Sequence, residues 1–523
     1  MTSKKEFISE IPTPLVLSSE ARAYRRTAYE HRASIRPANP GLLSASGTLN
    51  RLTSKRSLLI LALLFALAGS ACCQTLTERI DGLLKDPALE HGLQGVLVRS
   101  LKTNTTLYEH NADNLMTPAS NFKLLVSATA LEKLGPDFTY KTEVYAHGKV
   151  EKGVIEGDLI LKGGGDPVLE TADLTDLAKQ VKVAGISQVK GSVLADDSMF
   201  DDQRLGWGWS WDSLPYYYSA EISALNLNRN TVNVYVYPAK QAGAQAEVKV
   251  VPETDYVTIE NTTTTGPEGS AKAIWIDRAL GQNTIRVGGS IALGTQVTKR
   301  EAPVTVSEPQ LYAGCIFAAE LAKQGVDVTG SVKSGRTPAE AKLLCSHTSP
   351  PLSQILTLLN KPSDNLLAEV LLKTIGSVVN GKGSSSSGAS VEKGVLKGFG
   401  LDMSALSIID GSGLSKLDCI SPRNIVALLS YMQSSKNAKV FVDSLPIAGV
   451  DGTLAYRMKG TSAEKNVKAK TGYLAKVCSL SGYVTTKSGE QLVFSIMLNN
   501  HLCPKASATA IEDKICATLA DLP

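Results

Sequence analysis

Thr117-Pro118-Ala119-Ser120-Asn121-Phe122-Lys123-Leu124-Leu125-Val126 is the stretch on which the reading of this 523-residue chain turns. Thr117 suits a helix N-cap and Pro118 the first helical position, so a helix is predicted to open here. It runs through Leu124, Leu125, Val126, Ala128, Ala130, Leu131 and Leu134 until Gly135-Pro136 stops it. A helix apolar on nearly every face belongs inside a domain. Ser120 and Lys123 lie three apart, on one face, so the amine can reach the hydroxyl. A serine hydroxyl is a weak nucleophile until a base takes its proton. Lysine can be that base where burial and nearby cations lower its pKa, and a helix N-terminus acts in the same sense. The plain alternative is a helix start followed by a surface lysine, which the apolar surroundings disfavour.

Working outward, the spacing S-x-x-K is weak alone, since it recurs from Ser187, Ser390 and Ser462. Two further elements follow in order. Ser363-Asp364-Asn365 sits in a turn after Pro362 and before a helix; S-x-N occurs again only at Ser435. Ser363 can relay a proton between Lys123 and a leaving nitrogen. Asn365 can donate to a substrate carbonyl and orient the lysine. Asp364 or Ser363 could equally cap the helix, and both readings hold together. Lys470-Thr471-Gly472, the single K-T-G, follows Val467-Lys468-Ala469 and is predicted on a strand. Lys470 and Thr471 can hold a carboxylate by charge and hydroxyl, and Gly472 keeps the strand bare for a peptide. Backbone N–H groups of Ser120 and Tyr473 are then placed to form an oxyanion hole. A strand-edge lysine before a glycine turn is the bland reading of the third element alone; the ordered set outweighs it.

Competing chemistries find little support. The histidines after residue 73 are His91, His110, His147, His347 and His501; none adjoins a G-x-S-x-G elbow, and there is no H-E-x-x-H pair. Cys315, Cys345, Cys419, Cys478, Cys503 and Cys516 are scattered without a C-x-x-C pair, which argues against zinc or iron–sulfur ligation. They are read as isolated thiols or, in an oxidising compartment, as disulfides with Cys503 and Cys516 nearest in sequence. Gly163-Gly164-Gly165 lacks the ending of a phosphate loop. No cofactor is implied.

Lys55-Arg56 followed by the apolar run 58–68 and the small residues Gly69-Ser70-Ala71 has the form of a signal peptide. The run is short of the ~20 residues of a spanning helix, so export is expected rather than permanent anchoring. Cys72 could carry lipid, although Gly69 stands where such signals have an aliphatic residue. The polar tract 1–54 is read as a mis-assigned start or, alternatively, as a cytoplasmic tail. Residues 1–73 carry ten Lys/Arg against four acids, a surplus of six; with +4 overall, the remainder is left at −2. A near-neutral body has no electrostatic footprint for nucleic acid.

The chain is long enough for two or three domains. The leader spans 1–73. Residues 74–140 and 306–523 have α/β texture: a helix over Leu76–Leu84, strands at 95–100 and 107–110, helices at 311–324, 351–359 and 366–374, a hairpin of 477–485 and 491–498, and an amphipathic C-terminal helix marked by Ile511, Ile515, Leu519 and Leu522. The interval 141–305 reads as a mostly β insertion of one or two small domains. Residues 381–388, with four consecutive serines, read as a flexible loop. Trp207, Trp209, Trp211 and Tyr216-Tyr217-Tyr218 are expected to pack between insertion and catalytic domain, with stacking on a glycan strand as the alternative.

With these residues in view, the chain resembles the low-molecular-mass penicillin-binding proteins of the D-alanyl-D-alanine carboxypeptidase/endopeptidase type, the group with a large insertion between its first two motifs. The 243 residues from Ser120 to Ser363 match that arrangement, as do Gly157-Asp158-Leu159 through Gly163-Gly164-Gly165-Asp166-Pro167, Ser223 to Asn228, Asp410-Gly411-Ser412-Gly413-Leu414-Ser415 and Ala448 to Leu454. The resemblance implies a serine transpeptidase/β-lactamase-like catalytic domain, an antiparallel sheet with helices, split by the insertion. It implies action on peptidoglycan stem peptides outside the cytoplasm and acylation by β-lactams. Tyr473 stands where the family often has threonine. The rivals are a β-lactamase, which the long insertion and the lack of a deacylating glutamate motif disfavour, and a non-catalytic wall-binding protein, which would have no use for a nucleophile beside a base.

Overall fold

The computed structural model describes residues 74–523; the expected export signal lies outside them. Among the described residues no helix is long and apolar enough to cross a membrane.

Residues from both ends of the described region build a five-stranded antiparallel sheet in the order Lys468–Leu474, Val477–Thr485, Gln491–Asn499, Leu93–Ser100 and Thr106–His110. An early and a late strand of the described residues thus pair within it: Val98 pairs with Phe494 and Leu97 with Ser495. Strand side chains alternate between faces. Val96, Val98, Phe494, Ile496 and Leu498 pack with the helix Lys505–Ala520 through Ile511, Ile515 and Leu519. Leu97, Val493 and Met497 turn to the opposite core, which holds the helices Lys123–Lys133 and Asn365–Asn380. The first of these has nine buried residues in succession, Lys123 to Leu131, as its apolar composition predicts.

The start of that helix differs from expectation. Ala119–Phe122 forms a 3₁₀ turn, and the α-helix begins only at Lys123. Thr117 caps nothing, because its backbone is committed elsewhere: its N–H donates to Asn499 Oδ1 at 2.8 Å, and its carbonyl accepts from Asn499 Nδ2 at 3.1 Å. Ser479 Oγ donates to Pro118 O at 2.6 Å. The turn carrying Ser120 is therefore pinned to the sheet.

The region after residue 140 is more helical than expected. Strands Lys141–Glu151 and Val154–Gly163 form a mixed sheet with Gln188–Val189 and Val193–Asp196, and also with Asp327–Val328, Val332–Ser334 and Lys342–Thr348. The sheet thus continues past residue 305, to Thr348. The helices Thr171–Val183 and Pro309–Lys323 pack on it through Leu174, Leu177, Val181, Tyr312 and Phe317. The first was hidden among β-like runs, yet Asp173 Oδ2 accepts the Glu170 N–H at 2.8 Å at its start. Two three-stranded sheets complete this region, one of Thr231–Tyr237, Glu247–Val251 and Ala302–Thr305, the other of Thr258–Gly266, Ala273–Arg278 and Thr284–Ala292.

The serine run is not a loop. Ser384 N-caps a helix over Ser385–Gly398 by accepting the Ser387 N–H at 3.1 Å. A serine tract satisfies a helix start as readily as it favours disorder. All six cysteines of the described region are free thiols, with Cys478 and Cys516 buried.

Candidate active site

Lys123 Nζ lies 3.0 Å from Ser120 Oγ, 2.6 Å from Asn365 Oδ1 and 2.6 Å from the Ser412 carbonyl oxygen. The lysine is fully buried, whereas Ser120 is partly open. Asn365 cannot turn freely, because its Nδ2 donates to the Tyr218 carbonyl at 2.7 Å; this assigns Oδ1 to the amine. Neither that oxygen nor the Ser412 carbonyl can donate a proton. A neutral lysine therefore gives its two N–H groups to these acceptors and keeps its lone pair for the Ser120 hydroxyl. Burial pushes the Lys123 pKa down to about 8, against the opposing pull of Asp410, Glu369, Asp364 and Asp418. The carboxylates around Lys123 act to raise its pKa, and desolvation outweighs them.

The second element stands where the chain leaves the helix Leu352–Asn360. Ser363 takes a left-handed backbone at φ +65°, and Asp364 N-caps the next helix by accepting from Leu367 N at 3.2 Å. The other Asp364 oxygen receives Arg229 Nε at 3.1 Å. Lys470, fully buried on its strand, donates to Ser363 Oγ at 2.8 Å and to Thr471 O at 2.9 Å. Its pKa lies well below the usual lysine range, first through burial and then through Lys123. Lys470 is thereby engaged with the serine of the second element; of the pair expected to hold a carboxylate, Thr471 has the hydroxyl nearer to solvent, and it donates to Thr453 Oγ1 at 2.7 Å.

Gly472 proves necessary for a reason other than substrate approach. A Cβ there would stand 2.2 Å from Ser479 Oγ and 2.6 Å from Pro118 O, so the bare strand accommodates the protein's own nucleophile turn. Tyr473 pairs with Cys478 across the hairpin, and the Lys505 ammonium lies 4.1 Å from its ring centre. Its side chain is directed to the C-terminal helix.

Three distant stretches therefore converge, Ser120–Lys123 with Asn365, and Ser363 with Lys470. The match to a protein-family model then covers nearly all of the described chain: D-Ala-D-Ala carboxypeptidase 3 (S13), over residues 76–522. The chain belongs to this family. It is 40% identical over 472 residues to a D-alanyl-D-alanine carboxypeptidase of Actinomadura sp., covering 87% of this chain and 86% of that one. To the D-alanyl-D-alanine carboxypeptidase DacB of Haemophilus influenzae it is 27% identical over 411 residues, 78% of this chain and 85% of the other. The crystal structure of penicillin binding protein 4 (dacB) from the same organism superposes with a TM-score of 0.74 at 26% identity, covering 84% of this chain and 98% of that one. The protein is accordingly a serine-type D-Ala-D-Ala carboxypeptidase by family and a split α/β peptidase by fold.

Several residues that shape this carboxypeptidase site escaped the sequence reading of roles. Ser412 supplies an acceptor to Lys123, Thr453 supports Thr471, and Tyr218 fixes Asn365. Asp410-Gly411-Ser412-Gly413 carried a signal as a family segment, but no side-chain chemistry reveals a carbonyl as a ligand. Within the aromatic segment one indole is hydrogen-bonded across to the 410 turn and two are exposed. Trp209 Nε1 donates to Asp410 Oδ2 at 2.9 Å, whereas Trp207 and Trp211 are 70% and 71% exposed.

Proposed function

We propose that the protein removes the terminal D-alanine from peptidoglycan stem peptides through an acyl-enzyme on Ser120, and that β-lactams acylate the same hydroxyl. The observation that carries this reading is the 3.0 Å contact between Lys123 Nζ and Ser120 Oγ, with the other two lysine contacts taken by fixed acceptors. Ser120 Oγ attacks the carbonyl of the penultimate D-alanine while Lys123 takes its proton. Backbone N–H groups of Ser120 and Tyr473 receive the developing oxyanion. The C–N bond then breaks, and the departing amine takes a proton by way of Ser363, whose hydroxyl is held by Lys470. Asn365 orients the base and the peptide. Thr471 binds the terminal carboxylate, with Lys470 holding Ser363 and the Thr471 carbonyl beneath it and Gly472 admitting the turn that carries Ser120. In the second step Lys123 takes a proton from the attacking water and passes it to Ser120 Oγ as the ester C–O bond breaks, which restores the neutral lysine and the free hydroxyl. A β-lactam presents an amide carbonyl to the same hydroxyl, and a cross-linked peptide presents a D-alanine amide on a second stem; both follow the same steps, the latter as endopeptidase activity.

We further infer an insertion within a catalytic domain whose first part is 74–140. The boundary read at 305 is moved to about 348, since the sheet begun at Lys141 takes its last strand from Lys342–Thr348. Export to the periplasm is proposed from the sequence 55–71 alone.

The test is release of free D-alanine from a peptide ending in D-Ala-D-Ala. Wild-type protein should release it, and Ser120→Ala should not. Equal release by both would place the chemistry elsewhere.

A further inference from the structure

The helix Asn365–Asn380 carries three buried polar side chains at four-residue spacing, Asn365, Glu369 and Lys373, so all three share one face. Asn365 holds Lys123. Lys373, fully buried, donates to Asp201 Oδ1 at 2.5 Å and to Gln203 O at 2.6 Å, and so ties down the segment that leads to Trp209 and Tyr218. Between them, Glu369 receives three N–H contacts from one turn. Its Oε1 accepts from Gly411 at 3.1 Å and Ser412 at 2.8 Å, and its Oε2 accepts from Gly411 at 3.1 Å. That turn is the one whose Ser412 carbonyl meets Lys123 Nζ at 2.6 Å.

We propose that Glu369 is a positioning residue for the base: it fixes the 411–412 turn so that Ser412 O orients Lys123, and its carboxylate stabilises the protonated lysine. The inference rests on the reading of Ser120 and Lys123 given above. Both Glu369 oxygens are occupied by donors, the pattern of a carboxylate rather than an acid, which would need an acceptor for its own proton. Asp410 completes the cradle, accepting from Ser412 N at 3.0 Å and Gly413 N at 2.7 Å through Oδ1, and from Ser415 N at 2.8 Å through Oδ2. Gly413 closes the turn at φ +75°, where a Cβ would stand 1.9 Å from Ala119 O. The acceptor of the base and the turn of the nucleophile are thus in direct contact.

The charged groups facing Glu369 are Lys123, Asp410, Lys373 on its own helix, and Glu392 on the helix Ser385–Gly398; Asp418 adjoins Asp410. Burial and Asp410 push the Glu369 pKa up to about 8 against the backbone N–H groups, so its charge acts on Lys123 in the alkaline half of the pH range. Glu369 and Asp410 both act to keep Lys123 protonated. Removing the charge at Glu369 should therefore let Lys123 lose its proton at lower pH.

The experiment measures the rate of acylation by a fluorescent penicillin from pH 6 to 10 in wild-type protein, Glu369→Gln and Glu369→Asp. In Glu369→Gln the acid limb should move down by roughly half a unit or more, and the plateau should fall about 10- to 100-fold as the turn loosens. Glu369→Asp keeps the charge but withdraws the oxygens, so its plateau should fall with the limb unmoved. An unmoved limb in Glu369→Gln would overturn the proposal. So would failure of both variants to fold, which assigns the residue to stability alone. Ser120→Ala in parallel separates the two readings: if it still labels, the site assignment fails, and if it does not, only the role of Glu369 is at stake.

Discussion

Lys123 Nζ and Asn365 Oδ1 stand 2.6 Å apart across 242 residues of chain, and the same amide is anchored on its other side to Tyr218 O. One side chain thus links Lys123, the second motif and the segment around Tyr218. Asn365→Ala should lower the acylation rate by about 10- to 100-fold, because general-base catalysis depends on a positioned proton acceptor. It should also cost about 1–3 kcal/mol of stability, since the buried Lys123 amine and the half-buried Tyr218 carbonyl lose their hydrogen bonds. Stopped-flow acylation and thermal melting check the two parts.

Acylation should rise with pH through about 8, the value to which burial lowers Lys123. Below it the folded protein holds an ammonium that cannot take the serine proton; above it the lone pair is available. A pH–rate profile of acylation reads this limb. Lys123→Arg, which stays charged throughout, should lose both the limb and nearly all of the rate.

Thr471 and Thr453 share a hydrogen bond at 2.7 Å. Thr471→Val removes a hydroxyl without changing the strand. It should raise KM for a peptide with a free C-terminal carboxylate by about tenfold, the worth of one ordinary hydrogen bond. The same peptide with an amidated end should show a much smaller difference between wild type and variant.

Gly472→Ala should be worse than any side-chain loss on the same strand. Its methyl group would collide with Ser479 Oγ and Pro118 O. Overpacking of this kind costs about 1–3 kcal/mol, and here it displaces the turn that carries Ser120. Acylation should fall steeply while Thr471→Val remains acylated, a contrast visible by labelling both with one fluorescent penicillin.

The particular residues show what a sequence can and cannot disclose. That Ser120, Lys123, Ser363, Asn365 and Lys470 would be brought together was legible because each stands in a short motif whose order along the chain carries information. Glu369 and Lys373 were not, although they continue the helix from Asn365 at four-residue spacing, because their partners at 411–412 and 201–203 are close only in the fold. The N-cap expected of Thr117 failed for a related reason: Asn499, nearly 400 residues on, takes the backbone groups that a local reading assigns to the helix. Regular periodicity served the sheet and its helices well. It missed the helix Thr171–Val183, embedded among strand-like runs, and the helix opened by Ser384.

The most direct test is the mass of the protein after exposure to a penicillin, followed by mapping of the modified peptide. The adduct should equal one intact penicillin, with no atoms lost in ring opening, and should fall on Ser120; Ser120→Ala should remain unmodified. A stable adduct on any other residue, or equal modification of the variant, would contradict the assignment of Ser120 as the nucleophile.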